Sequence, residues 1–246
     1  MFTYQIKVEY LGTNFVGWQI QKNGLSVQEV LEKGLKKIKK DKVKIVGSGR
    51  TDAGVHASGQ SAHFKTKHKI KDKKIFLSSL NFFISKNGIS VVNIKKKTNK
   101  FHARHNATER TYQYFIINRG PSIVIEKGKV WHVKKKLDVS LMKKGAKLLE
   151  GTHNFSTFRA SSCQANSPIK TLKKITISKN KEKIIITFKS KSFLQQQVRS
   201  MVGSLKYLGE GKWTISYFKK VFKSNQRKMC APPAPPHGLF LTKVLY

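Results

Sequence analysis

The chain has 246 residues, of which 50 are Lys or Arg and 12 are Asp or Glu, giving a net charge of +38. That length holds one large core or two smaller ones, and 39% hydrophobic residues with fifteen Phe exclude a disordered chain. No apolar run approaches the roughly 18 residues of a membrane span. The N-terminal MFTYQIKVEYLG reads as a strand rather than a signal peptide, so no membrane partner and a cytoplasmic location are expected. Only seven of the 50 basic residues are Arg, an excess of lysine that a lysine-biased proteome also produces. The summed charge is harder to set aside, because a pI near 10.4 attracts polyanions and makes their binding salt-dependent, with nucleic acid as the default partner. Cys163 and Cys230 are far apart and form no CxxC pair, which points to reduced thiols. His102 and His105 have no carboxylate or thiolate complement nearby, so no metal is expected.

In chain order, Tyr4 to Tyr10 alternates as a strand. Ser26 and Glu29 have the spacing of a capping box, and Val27, Val30, Leu31, Leu35 and Ile38 recur at helical spacing with lysines opposite, predicting a helix packed on a sheet. Val43, Ile45 and Val46 read as a strand running into GSGRTDAG, Gly47 to Gly54, and Gln60 to Phe64 forms the next apolar run. The first half thus reads strand, helix, strand, strand, helix, strand, ending at Ile89 to Ile94, after which Lys95 to Lys100 reads as a solvated connector more readily than as an RNA-facing loop.

The second half opens with TYQYFII, then a strand near Val130 to Val133 and a helix from about Asp138 that Gly151 ends. Thr171 to Ser178 and Lys183 to Ser190 alternate lysine or threonine with isoleucine around a polar turn at Asn180, a hairpin with one buried face. Leu194, Val198, Met201, Val202, Leu205 and Leu208 form a helical stripe that Gly209 closes, with Arg199 off the stripe. A last helix around Tyr217 to Lys223 precedes the stiff APPAPP of Ala231 to Pro236 and a closing strand, Leu239 to Tyr246. The pattern is α+β: two α/β halves on largely antiparallel sheets, 1–105 and 106–246.

GSGRTDAG sets one of only four aspartates in the chain among three glycines, beside Arg50. The turn can present Asp52 into a cleft, and Arg50 would favour its ionised form if the side chains meet. On spacing alone Asp52 is equally a turn residue bonded to its own backbone. A phosphate loop fits less well, because the Gly-Lys-Ser/Thr ending is missing and a carboxylate in the cradle would repel phosphate.

Blocks along nearly the whole chain resemble the TruA-type tRNA pseudouridine synthases. They are EYLGTNFVGWQIQ from Glu9, SVQEVLE from Ser26, GSGRTDAGVHASGQSAHF from Gly47, FHARHNATERTYQY from Phe101, FSTFRASSCQ from Phe155, VRSMVGSL from Val198 and APPAPPHGLFLTKVLY from Ala231. The RTDAGVH core is the most specific of these. The resemblance implies the pseudouridine synthase fold with an active-site cleft between the halves, a homodimer, no cofactor, and conversion of uridine to pseudouridine at tRNA positions 38, 39 and 40 in the anticodon stem-loop. By the same resemblance Asp52 is the catalytic aspartate. Tyr112 is the substrate-contacting tyrosine that can stack on uracil, Arg199 the arginine paired with the carboxylate, and Arg50 a second arginine on the tRNA backbone or flipped nucleotide. Tyr112 is otherwise a strand tyrosine filling the core, and Arg50 an exposed turn residue.

One departure is Gln197, polar where family members more often carry a hydrophobic residue such as methionine before the Val-Arg pair. The target base lies in or beside a stem and must be extruded, at a cost of a few kcal/mol that pocket contacts and phosphate neutralisation offset. Because the major groove of A-form RNA is closed to side chains, binding should follow the shape of the stem-loop. From charge and strand-borne aromatics alone, the rival is a non-catalytic RNA-binding or ribosome-associated protein, in which Asp52 would be dispensable.

Overall fold

The computed structural model describes residues 1–39 and 43–246, in two compact units: Met1–Thr108 with Leu241–Tyr246, and Glu109–Phe240. In unit 1, β1 (Phe2–Tyr10) lies between β4 (Ile89–Lys97) and β3 (His56–Thr66), antiparallel to both, and β2 (Ile45–Gly47) pairs with β3. Tyr4, Ile6, Val8 and Tyr10 point to one face, where α1 (Val27–Lys39) and α2 (Lys73–Ile84) pack. The alternation follows from the two-residue period of the strand, and the helix stripe of Val27, Leu31 and Leu35 fills the same core. The Ser26 hydroxyl accepts from the Glu29 backbone N–H at 3.2 Å, as the capping spacing predicts, while the Glu29 carboxylate pairs with Lys33 at 2.7 Å. Asp72 caps α2 by accepting from the Ile75 N–H at 3.0 Å.

Lys95 to Lys97 are not a connector: they extend β4, and Lys95 and Lys97 stand opposite Gln5 and Thr3 of β1 on the face away from the helices. The sheet accommodates them because at that end of the face Lys95 is exposed and Lys97 half-buried.

In unit 2, β5 (Glu109–Asn118), β9 (Lys183–Ser190), β8 (Ile169–Asn180) and β7 (Gly151–Asn154) lie side by side, all antiparallel, and β6 (Trp131–Val133) joins β5 in parallel. The predicted hairpin is β8 and β9, with Lys181 in the left-handed region at φ 52°. Among the described residues, α3 (Val139–Leu148), α4 (Gln197–Gly209) and α5 (Ile215–Lys223) enclose Met142, Leu205, Leu208 and Phe218, all fully buried. Asp138 caps α3 through the Leu141 N–H at 2.9 Å. Gly151, expected to end that helix, instead opens β7, and Leu194 precedes α4 rather than lying in it. Of β10 (Leu239–Leu245), the residues from Leu241 onward belong to unit 1.

His63 on β3 is 5% exposed, and its Nδ1 accepts from the Ala103 N–H at 3.1 Å. Burial, then the neighbouring charges of His102 and Lys65, push its pKa from 6.5 down to about 4, against a hydrogen bond to Val46 that works the other way. The unfolded chain therefore binds the proton more readily than the folded one. The contribution is complete above pH 6.5 and is lost as pH falls from 6.5 towards 4. Thermal melts over that window should show a falling midpoint, and His63→Asn, which keeps an acceptor for Ala103, should flatten it. A wild-type midpoint that does not move would contradict this.

Candidate active site

The Asp52 loop joins β2 to β3, and buried polar side chains hold its backbone. The Ser48 N–H donates to Ser61 O at 2.7 Å and the Ser48 hydroxyl to Gln60 Oε1 at 2.8 Å. Gln60, fully buried, donates from Nε2 to Gly49 O at 2.9 Å, so one amide spans the start of the loop. The Thr51 hydroxyl shares a hydrogen bond of 2.8 Å with Tyr10, whose phenol burial drives well above its ordinary pKa, so it stays protonated. Asp52 O accepts from the Val55 N–H at 3.2 Å, which closes a tight turn with Gly54 at φ 75°.

A second segment, Leu11 to Trp18, clamps this turn. The Trp18 N–H donates to Thr51 O at 3.1 Å and the Gly54 N–H to Phe15 O at 3.3 Å, while the Gly12 N–H donates to Nδ1 of the buried His56 at 2.8 Å. The backbones approach so closely that a Cβ on Gly12 would lie 2.1 Å from Val55 O. On Gly17, whose φ is +116°, a Cβ would lie 2.5 Å from Thr51 O. Only glycine meets both conditions at Gly17. Gly17→Ala should therefore destabilise the protein by roughly 2–4 kcal/mol, combining left-handed strain with backbone displacement. Urea unfolding checks this, and an unchanged midpoint would contradict it.

The structure puts Asp52 half-buried and Arg50 exposed on the same loop. The other predicted site residues lie in unit 2. Tyr112, on β5 opposite Phe188 of β9, is 7% exposed and meets Phe193 edge-on with ring centres 5.2 Å apart. Arg199 is half-buried in the first turn of α4. Its Nε donates to Ala234 O at 2.8 Å and its backbone O accepts from the Ala234 N–H at 2.9 Å, so the proline-rich segment is latched to the helix at one residue. The Tyr114 hydroxyl holds the same segment, donating to Pro235 O at 2.7 Å. Burial drives the Tyr114 phenol pKa well up, and the Arg199 charge opposes that rise.

Gln197 opens α4 after Gln196, which is left-handed at φ 58°. Fully buried, it turns back on its own entrance turn, its Oε1 accepting from the Leu194 N–H at 2.8 Å and its backbone N–H donating to Leu194 O at 3.1 Å. Its amide oxygen supplies an acceptor that a methionine lacks, while the buried Nε2 has no hydrogen-bond partner among the described residues.

Sequence reading missed His56, Gln60, Tyr10 and the clamp. The available signal was the recurrence of Gly12 and Gly17 in the Glu9 to Gln21 block, whose partners lie far along the chain. Among the described residues no group of three or more His, Cys, Asp or Glu is placed to hold a metal, and no helix is long and apolar enough to cross a membrane.

The family model described as tRNA pseudouridine synthase matches residues 6–106 and 146–246. The tRNA pseudouridine synthase A of Pelagibacter ubique (strain HTCC1062) is 58% identical over 246 residues, covering all of both chains. That of Parvibaculum lavamentivorans (strain DS-1 / DSM 13023 / NCIMB 13966) is 42% identical over 243 residues, covering 99% of this chain and 98% of its own.

Proposed function

The chain belongs to the TruA-type tRNA pseudouridine synthases, enzymes that isomerise uridine in tRNA, and from that premise we propose that it acts at positions 38, 39 and 40 of the anticodon stem-loop with Asp52 as the catalytic carboxylate. The observation that carries the role of Asp52 is the rigidity of its turn. Hydrogen bonds from buried side chains and from the Leu11 to Trp18 segment fix the backbone on both sides of the one carboxylate in that loop. A turn residue that only closed a hairpin would not need such support.

The reaction breaks the bond from N1 of uracil to C1′ of the ribose and forms one from C5 to C1′. C5 loses its proton and N1 gains one, so the net change is an isomerisation and the protein need supply no electrons. A carboxylate held beside a detached base, sheltered from water, serves this chemistry. Arg50, Tyr112 and Arg199 act as substrate contacts: Arg50 on phosphate or the extruded nucleotide, Tyr112 through its ring, Arg199 through its charge. Stacking of the ring on uracil is worth about 1–3 kcal/mol. The enzyme works as a cytoplasmic homodimer without a cofactor.

The test is release of tritium from C5 of uridine in labelled tRNA transcripts, followed by mapping of the modified positions. Product at 38, 39 and 40 is expected. Product confined to other tRNA positions would overturn the site assignment, and unchanged release by Asp52→Ala would overturn the catalyst.

A further inference from the structure

The helix-free face of the unit 1 sheet has a chemistry that the Asp52 turn does not use. The strand register aligns three rows across β4, β1 and β3: Lys97, Thr3 and Lys65; Lys95, Gln5 and His63; Asn93, Lys7 and Ser61. A groove of about 230 Å³ opens on the lower two rows, lined by Gln5, Lys7, Ser61, Asn93 and Lys95 and by Lys243 of β10. No residue of the Asp52 loop lines it. Its polar floor is preset, because Ser61 Oγ accepts both from Gln5 Nε2 at 2.9 Å and from the Tyr246 hydroxyl at 2.8 Å.

The same hydroxyl lies 3.0 Å from Ala103 O and shares its single proton between the two acceptors, which ties the groove to the Phe101 to His105 turn at its edge. Rings run continuously there. Tyr246 and Phe101 have centres 5.0 Å apart, Phe101 and His63 5.9 Å, His63 and His102 4.9 Å, and His102 and His105 4.2 Å. The series passes from the buried His63 to the exposed His105. Lys97 sits over Phe101 at 5.1 Å.

We infer that this face is a second RNA-binding site, in which Lys7, Lys95 and Lys243 hold consecutive phosphates of a tRNA strand while an unstacked base lies against His105 at the end of the ring series. The inference rests on tRNA being the substrate. Charge complementarity selects RNA as the occupant. The groove carries three exposed lysines and no carboxylate among its lining residues, and a ring series that ends in an exposed imidazole offers a base a stacking surface.

The test compares binding of a fluorescent tRNA transcript by the full chain, by Lys7→Gln/Lys95→Gln/Lys243→Gln and by His105→Ala, across a salt series, with light scattering and turnover on each. All four positions are exposed, so folded variants are expected. The lysine variant should lower the slope of log affinity against log salt by about 2–3, one counterion for each lost phosphate contact. His105→Ala should weaken binding about tenfold, the loss of one base stack. Turnover at saturating tRNA should be retained in both. Wild-type affinity in either variant, or a changed oligomeric state in the lysine variant, would overturn the inference, the latter making the face a contact between copies. A wild-type chain that binds tRNA but forms no pseudouridine would sink the proposed function and leave this site standing.

Discussion

Asp52→Ala is expected to abolish C5 tritium release from labelled tRNA, by on the order of 10⁴-fold or more, as when an enzyme loses the group that acts on its substrate. Affinity for tRNA should stay within about twofold, because removing a carboxylate from so basic a chain does not weaken a polyanion's binding. The structure gives a reason to expect a folded variant. The hydrogen bonds described for the loop run through Ser48, Gly49, Thr51 and Gly54 and through the Asp52 carbonyl, all of which alanine retains. A cooperative thermal melt of the variant checks that it is folded. Release at the native rate by a folded Asp52→Ala protein would return Asp52 to the role of a turn residue and leave the catalyst elsewhere.

The Asp52 turn was legible because its signal is local: a carboxylate among glycines after an apolar run. The helix behind it was equally so, since Ser26, Glu29 and the Val27 to Leu35 stripe lie within a few turns of one another. The clamp was not. Gly12 matters because of Val55 and Gly17 because of Thr51, and a steric contact across that much chain leaves no trace in composition or period. His56 and Gln60 were hidden for another reason. A polar residue in a strand reads as solvent-facing, and only the pairing of β3 with its neighbours shows that both are buried and bonded to a loop. The Lys95 to Lys97 run misled in the opposite direction. Consecutive lysines mask the two-residue period, although only alternate ones share a face. Nor did alternation in the closing strand reveal that Leu241 to Tyr246 return to unit 1, because a period specifies a face and not a partner.

Arg199→Ala is expected to lower turnover by roughly a hundredfold or more, the scale of removing one charged group that stabilises a reacting centre. The difficulty in testing it is that Arg199 also latches the proline-rich segment, so a structural collapse would imitate a catalytic loss. The two are separable. Alanine removes the Nε bond to Ala234 O but keeps the backbone bond from the Ala234 N–H to the residue 199 carbonyl, and the Tyr114 bond to Pro235 persists. The loss of that Nε hydrogen bond by itself costs about 1 kcal/mol, which moves the melting temperature by only a few degrees in a chain of this size. Arg199→Lys discriminates further. An ammonium keeps the charge but cannot reproduce the planar guanidinium donor set, so partial turnover should return if charge is the main requirement. Wild-type turnover in a folded Arg199→Ala protein would reduce Arg199 to its latch. A large fall in melting temperature, with turnover per folded molecule unchanged, would lead to the same conclusion.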